Sequence, residues 1–114
     1  MNIISYVGLI WKVLIRFNKG GIMARWTFFT NYGHVIFLIS KHPNITSKEM
    51  AQEIGITERA VQKIIHDLDE DGFINIKKVG RNNQYKIVGR KKLRHSIEKN
   101  CRIDELITTI NKED

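Results

Sequence analysis

The amino-acid sequence predicts a mainly α domain of the α+β class: three helices, a two-stranded β hairpin and a C-terminal helix. Three observations carry that expectation. Apolar residues recur at helical spacing in the segments before Gly72, the pattern becomes strand-like just after it, and helical spacing returns near the C-terminus. With 114 residues, 42% of them hydrophobic, the chain has material for one modest core.

The first helix is expected over Asn31–Lys41, capped by Thr30 or Asn31. Its dense apolar run Val35–Ile39 leads toward Pro43, which cannot continue a helix. The second is short, Ser47–Ile54. Thr46 and Glu49 have the spacing of a capping box, Ile45 and Met50 flank it as a hydrophobic staple, and Gly55 is a natural left-handed stop. Thr57 caps a third helix over 57–71, in which Val61, Ile64, Ile65 and Leu68 fall at i, i+3, i+4 and i+7 as one buried stripe. Two helices joined through Gly55-Ile56-Thr57 form a helix-turn-helix candidate.

Phe73, Ile74, Ile76 and Val79 read as one strand and Gln84–Val88 as a second, with Gly80-Arg81-Asn82-Asn83 as the turn. Ile103, Leu106, Ile107 and Ile110 then repeat the helical stripe, with Asp104 and Glu105 suited to that helix's first turn. Such a stripe on a terminal helix either packs on its own domain or meets its copy, and these four residues are expected to contribute to a homodimer.

The formal net charge of +7 is segregated along the chain. Residues 46–72 hold three basic and seven acidic groups, whereas residues 73–92 hold seven Lys/Arg and no acid. Residues 1–45 likewise hold five Lys/Arg and no acid, and such segregation is what the electrostatic footprint of a polyanion-binding surface requires. On the third helix, Arg59, Gln62, Lys63 and His66 also fall at i, i+3, i+4 and i+7. At about 100° per residue they lie nearly opposite the apolar stripe. Arg can bind guanine and Gln adenine through two hydrogen bonds each, Lys63 suits a phosphate, and His66 can donate or accept. Asp67, Asp69, Glu70 and Asp71 crowd the far end of the helix and repel phosphate, so the N-terminal half leads and Arg59 and Gln62 reach furthest. Around the hairpin turn, Lys77, Lys78, Arg81 and Lys86, with Asn82, Asn83 and Gln84, supply a second set of donors for a DNA backbone or minor groove. Lysines on exposed strands also discourage edge pairing, the competing account of that arm.

Trp26 to about Ile110 resembles the winged helix-turn-helix regulators loosely grouped with the MarR and ArsR families. The resemblance rests on W-T-F-F-T-N at Trp26–Asn31, G-I-T-E-R-A-V-Q at Gly55–Gln62, V-G-R-N-N-Q-Y at Val79–Tyr85 and L-R-H at Leu93–His95. It implies a winged helix-turn-helix fold (three helices, a two-stranded β wing and a C-terminal helix) and a sequence-specific DNA-binding repressor or activator, often dimeric. By motif position, Thr57, Arg59, Ala60, Gln62 and Lys63 map to the recognition helix and Arg81 to the wing tip.

The expected function is therefore a double-stranded-DNA-binding transcriptional regulator, with recognition helix 57–71 in the major groove and wing 77–86 on the backbone or minor groove. A protein-interaction or RNA-binding winged helix is the alternative. RNA binding lacks an obvious stacking platform, since Phe28, Phe29, Phe37 and Phe73 are expected in the core. No nucleophile–base pair, H-E-x-x-H or G-K-[ST] run points to an enzyme. His34, His42, His66 and His95 are scattered singly, so neither a metal nor a cofactor is expected. The single cysteine, Cys101, excludes an intramolecular disulfide and fits a cytoplasmic location. Every folding signal lies after Trp26, which sets residues 23–92 as the DNA-binding domain and 93–114 as the C-terminal helical region. Residues 1–22 form an apolar extension with three open readings: a segment ahead of a true start at Met23, an added packing or dimerisation helix, or a membrane-surface element. Its Ile3–Ile15 run is shorter than the ~20 residues that span a bilayer, and no membrane partner is expected.

Overall fold

The computed structural model describes residues 26–112; the readings of residues 1–22 lie outside them. Helices α1 (Asn31–Lys41), α2 (Ser47–Ile54) and α3 (Glu58–Glu70) precede a hairpin of β1 (Ile74–Val79) and β2 (Asn82–Ile87), and α4 (Ile103–Ile110) follows. This is the expected α+β architecture.

Local chemistry sets the helix boundaries. At α2 the capping box is complete: Thr46 Oγ1 accepts the Glu49 N–H at 3.1 Å, and Glu49 Oε1 accepts the Thr46 N–H at 3.0 Å. Gly55 ends α2 at φ +86°, in the left-handed region that penalises a Cβ. Two residues later Thr57 Oγ1 accepts the Ala60 N–H at 3.0 Å and opens α3. Thr30 occupies the cap position of α1, but its hydroxyl makes no capping bond.

α1, α2 and α3 close over one core. Val35, Ile39, Ile45, Met50 and Val61 are at most 1% exposed, and Ile64, Ile65 and Leu68 join them. The hairpin is fastened to this core by its base. Phe73, Ile74 and Tyr85 are buried, the Tyr85 N–H donates to the Pro43 carbonyl at 2.9 Å, and the Val88 N–H donates to the Phe73 carbonyl at 2.9 Å. Beyond it, Lys92 and Arg102 form an antiparallel bridge, with the Leu93 N–H donating to Cys101 O at 3.0 Å and the Ile103 N–H to Lys91 O at 2.7 Å. That pairing seats α4 against α1.

Three local expectations change. The hairpin turn is Gly80-Arg81 alone, with Val79 paired to Asn82 and Lys78 to Asn83, so both asparagines belong to β2. Gly80, at φ +64°, supplies the left-handed residue that the first position of a two-residue II′-type turn needs, and no longer loop is required. Phe28 is not a core residue: it is 89% exposed and meets Trp26 edge-on at 5.2 Å, while Phe73 is buried and Phe29 and Phe37 are half-buried. The C-terminal stripe is divided. Ile103 is buried within its own domain, Leu106 and Ile107 are half-buried, and Ile110 is exposed.

His42, just past α1, is buried, and that burial pulls its imidazole below the ordinary histidine range; Lys41 adds to the effect and Glu49 opposes it. A lowered folded-state value means that the fold prefers the neutral ring. Its contribution to stability is present above the unfolded value of about 6.5 and is lost as pH falls through that value toward the folded one. Thermal melts between about pH 7.5 and pH 5.5 should therefore show a shallower decline for His42→Gln than for the wild type.

The caps give a second expected outcome. Thr46→Ala and Thr57→Ala should each cost about 1 kcal/mol in denaturant unfolding, and Thr30→Ala clearly less, because only the first two remove a hydrogen bond to an otherwise unpaired N–H.

Candidate nucleic-acid interface

Burial of Val61, Ile64, Ile65 and Leu68 fixes the rotation of α3, and with it which residues face out. Arg59, Gln62, Lys63 and His66 are all exposed on the opposite side, so the structure brings the four sequence-selected residues onto one face. They divide by their neighbours. Lys63 Nζ lies 2.9 Å from Asp67 Oδ2, and His66 Nε2 lies 3.1 Å from Glu70 Oε2. Arg59 and Gln62 make no side-chain hydrogen bond or ion pair among the described residues, and they occupy the leading half. Thr57, also exposed, uses its hydroxyl in the helix cap.

Two of the acids at the far end of α3 are held by other parts of the fold. The Tyr32 hydroxyl, reaching from α1, donates to Asp67 Oδ2 at 2.5 Å, and Arg94 Nη1 donates to Asp71 Oδ2 at 2.6 Å. The Tyr32 hydroxyl and then the Lys63 ammonium hold the Asp67 carboxyl below its usual range, while the same hydrogen bond raises the Tyr32 phenol. Sequence spacing could have shown Lys63–Asp67 as an i, i+4 pair. Tyr32 is 35 residues away and left no such signal.

In the wing, Lys77, Lys78, Arg81 and Asn82 are exposed, and Asn83 is half-buried, its amide donating to the Tyr85 hydroxyl at 3.4 Å. The register separates the cations. Lys78 pairs with Asn83 on the face that carries Tyr85, whereas Lys77 pairs with Gln84, and Lys86 with Asn75, on the other face. The basic run is thus two faces and a tip, not one continuous patch. Sequence reasoning missed two residues. Lys48 of α2 and Glu58 of α3 join Arg81, Asn82 and Asn83 around a polar cleft of about 160 Å³ between the helices and the wing tip.

A second concavity has a volume of about 400 Å³. Phe29, Ile36, Phe37 and Leu106 line it, and Asp67, Asp71 and Glu98 border it. Exposed Phe28 and Arg94 also line it. No helix among the described residues is long and apolar enough to cross a membrane.

Comparison with known proteins agrees with this fold. Over 67 residues the chain is 36% identical to uncharacterized protein MJ1254 of Methanocaldococcus jannaschii, covering 58% of this chain but only 14% of that protein. The crystal structure of MepR, a transcription regulator of the Staphylococcus aureus multidrug efflux pump MepA, superposes with a TM-score of 0.50 at 14% identity, covering 93% of this chain and 74% of MepR. At that identity the likeness concerns the fold, and it is the winged helix-turn-helix arrangement described above. The HTH domain family matches residues 34–92, which take in α2, α3 and the wing, and the chain belongs to that helix-turn-helix family.

Proposed function

We propose that the chain is a sequence-specific double-stranded-DNA-binding transcriptional regulator, in which the N-terminal half of α3 enters the major groove and the wing contacts backbone or minor groove. The observation that carries this reading is the pair Arg59 and Gln62: exposed, without intramolecular partners among the described residues, and on the leading half of the second helix of a helix-turn-helix. The far half meets DNA less readily, because its carboxylates repel phosphate. G-I-T-E-R-A-V-Q and V-G-R-N-N-Q-Y, the most specific motifs of the MarR- and ArsR-like resemblance, form the helix start and wing tip in question. A mobility-shift assay on duplex DNA and duplex RNA tests the reading, and retention of RNA alone would overturn it.

Helix and wing divide the labour between base and phosphate contacts. Arg59→Ala should lose roughly 1–3 kcal/mol on the preferred site, found by selection from a random pool, and relax the choice at one base position. Arg81→Ala should weaken binding to all sequences evenly and lower the slope of log affinity against log salt by about one. Both residues are exposed, so neither change should move the melting temperature much. Equal losses on specific and scrambled duplexes for Arg59→Ala would assign that residue to phosphate instead.

We also propose a homodimer through α4. Ile103 is already used inside its own domain, so the interface reading passes to half-buried Leu106 and exposed Ile110, with Ile107 behind them. Light scattering at micromolar concentration should give twice the chain mass, and Ile110→Asp should shift it toward the monomer. A wild type that is strictly monomeric sinks the proposal.

A further inference from the structure

The cleft between α2, α3 and the wing tip has a chemistry of its own. Lys48 comes from α2, Glu58 from the first turn of α3, and Arg81, Asn82 and Asn83 from the hairpin. At about 160 Å³ it is smaller than the roughly 300–1,000 Å³ that drug-sized ligands occupy, and holds about five waters' volume. Its lining is polar, which disfavours an apolar guest. Lys48 offers three donors and Arg81 five, with the Asn82 amide beside them. Neither cation forms an ion pair among the described residues, although Glu58 borders the same cleft. Two cations from separate elements that border a space of this size, neither paired among the described residues, match one small polyoxygen anion.

We propose that this cleft seats a single phosphate of the DNA backbone, gripped jointly by Lys48 and Arg81. The inference rests on the DNA-binding reading above and adds to it a residue of α2 and a coupling between α2 and the wing. Glu58 limits the grip. It borders the same cleft from α3, and a carboxylate there repels a phosphate, so binding is weaker than the two cations alone would give. The cleft therefore tunes affinity for any sequence, while Arg59 and Gln62 select the sequence.

The test uses the full chain and its selected duplex. Lys48→Ala and Arg81→Ala should each weaken binding several-fold. Because they share one partner, the double variant should depart from the product of the single losses by about threefold or more. Glu58→Gln should bind specific and scrambled duplexes several-fold more tightly than the wild type. A set of duplexes in which one phosphate at a time is replaced by an uncharged methylphosphonate locates the contact. One linkage should, when neutralised, make both Lys48→Ala and Arg81→Ala bind as the wild type does. Effects that map to two different linkages, or losses that simply multiply, overturn the shared site and leave the DNA-binding reading intact. Thermal melts with inorganic phosphate separate the sources: stabilisation that depends on Lys48 and Arg81, with no methylphosphonate linkage responding, would make this a free-anion site and overturn the proposal. A wild type that binds no duplex removes the regulator reading, and this site with it.

Discussion

The packing of α3 against α1 and α2 is the constraint on which the rest of the surface depends. Val61 is fully buried and Ile64, Ile65 and Leu68 nearly so, and truncating such a residue to alanine typically costs about 2–5 kcal/mol. A helix is rigid about its axis, so burying this stripe leaves no choice about what faces solvent. Residues displaced by two positions, and hence by about 200°, must point outward. Arg59, Gln62, Lys63 and His66 are those residues. The core therefore aims the candidate reading face without any contact to it. The caps complete the aim along the axis: left-handed Gly55 and the Thr57 hydroxyl fix where α3 begins, and so which residues form its leading turn.

Electrostatics then divide α3 along its length. Acids near a helix C-terminus oppose the helix dipole, so Asp67, Glu70 and Asp71 stand where they are intrinsically disfavoured. The structure offsets this by giving each a local donor or cationic neighbour: Tyr32 and Lys63 for Asp67, His66 for Glu70, Arg94 for Asp71. These contacts are exposed, and each adds little to stability. Their larger consequence is directional. They draw Lys63 and His66 toward the far end of the helix and leave Arg59 and Gln62 as the uncommitted donors at the near end. The Tyr32 contact also joins the first turn of α1 to α3, so the two ends of the acidic half are held by different parts of the scaffold.

Most of this fold was legible in the sequence because its signals are local. The capping box at Thr46, the stop at Gly55, the cap at Thr57 and the two α3 stripes each depend on residues within a few positions of one another, and each stands where the spacing placed it. What was not legible depends on tertiary contact. Asn82 and Asn83 are turn formers by type and predict a turn two residues longer than the one formed, yet pairing with Val79 and Lys78 draws them into β2. Hydrophobicity alone predicts Phe28 in the core, and the fold leaves it exposed. The helical stripe Ile103–Ile110 was correct as a period but silent about which part packs at home. That depends on the Lys92–Arg102 bridge, which carries no sequence pattern. Of the candidate site, the α3 face and the wing tip were visible, while Lys48 and Glu58 were not, since their proximity to Arg81 exists only once α2, α3 and the hairpin are assembled.

The wing need not be an independent arm for these elements to act together. A two-stranded hairpin is marginal on its own in water, and this one is anchored at its base rather than along its length. Ile74 and Tyr85 are buried, and the Tyr85 N–H bonds to Pro43 in the turn between α1 and α2. Pro43 stands only four residues before the start of α2, and Tyr85 only three after the start of β2. The bond therefore ties the hairpin to the connection that positions α2, while Phe73 and Ile74 tie it to the end of α3. Any displacement of the wing base relative to α2 must break the backbone hydrogen bond of buried Tyr85, and a buried N–H left unpaired costs about 1–3 kcal/mol. The tip beyond Tyr85 has no such anchor and presents Arg81 on a two-residue turn. A fixed base therefore sets where the wing leaves the fold relative to α2 and α3 before any partner arrives.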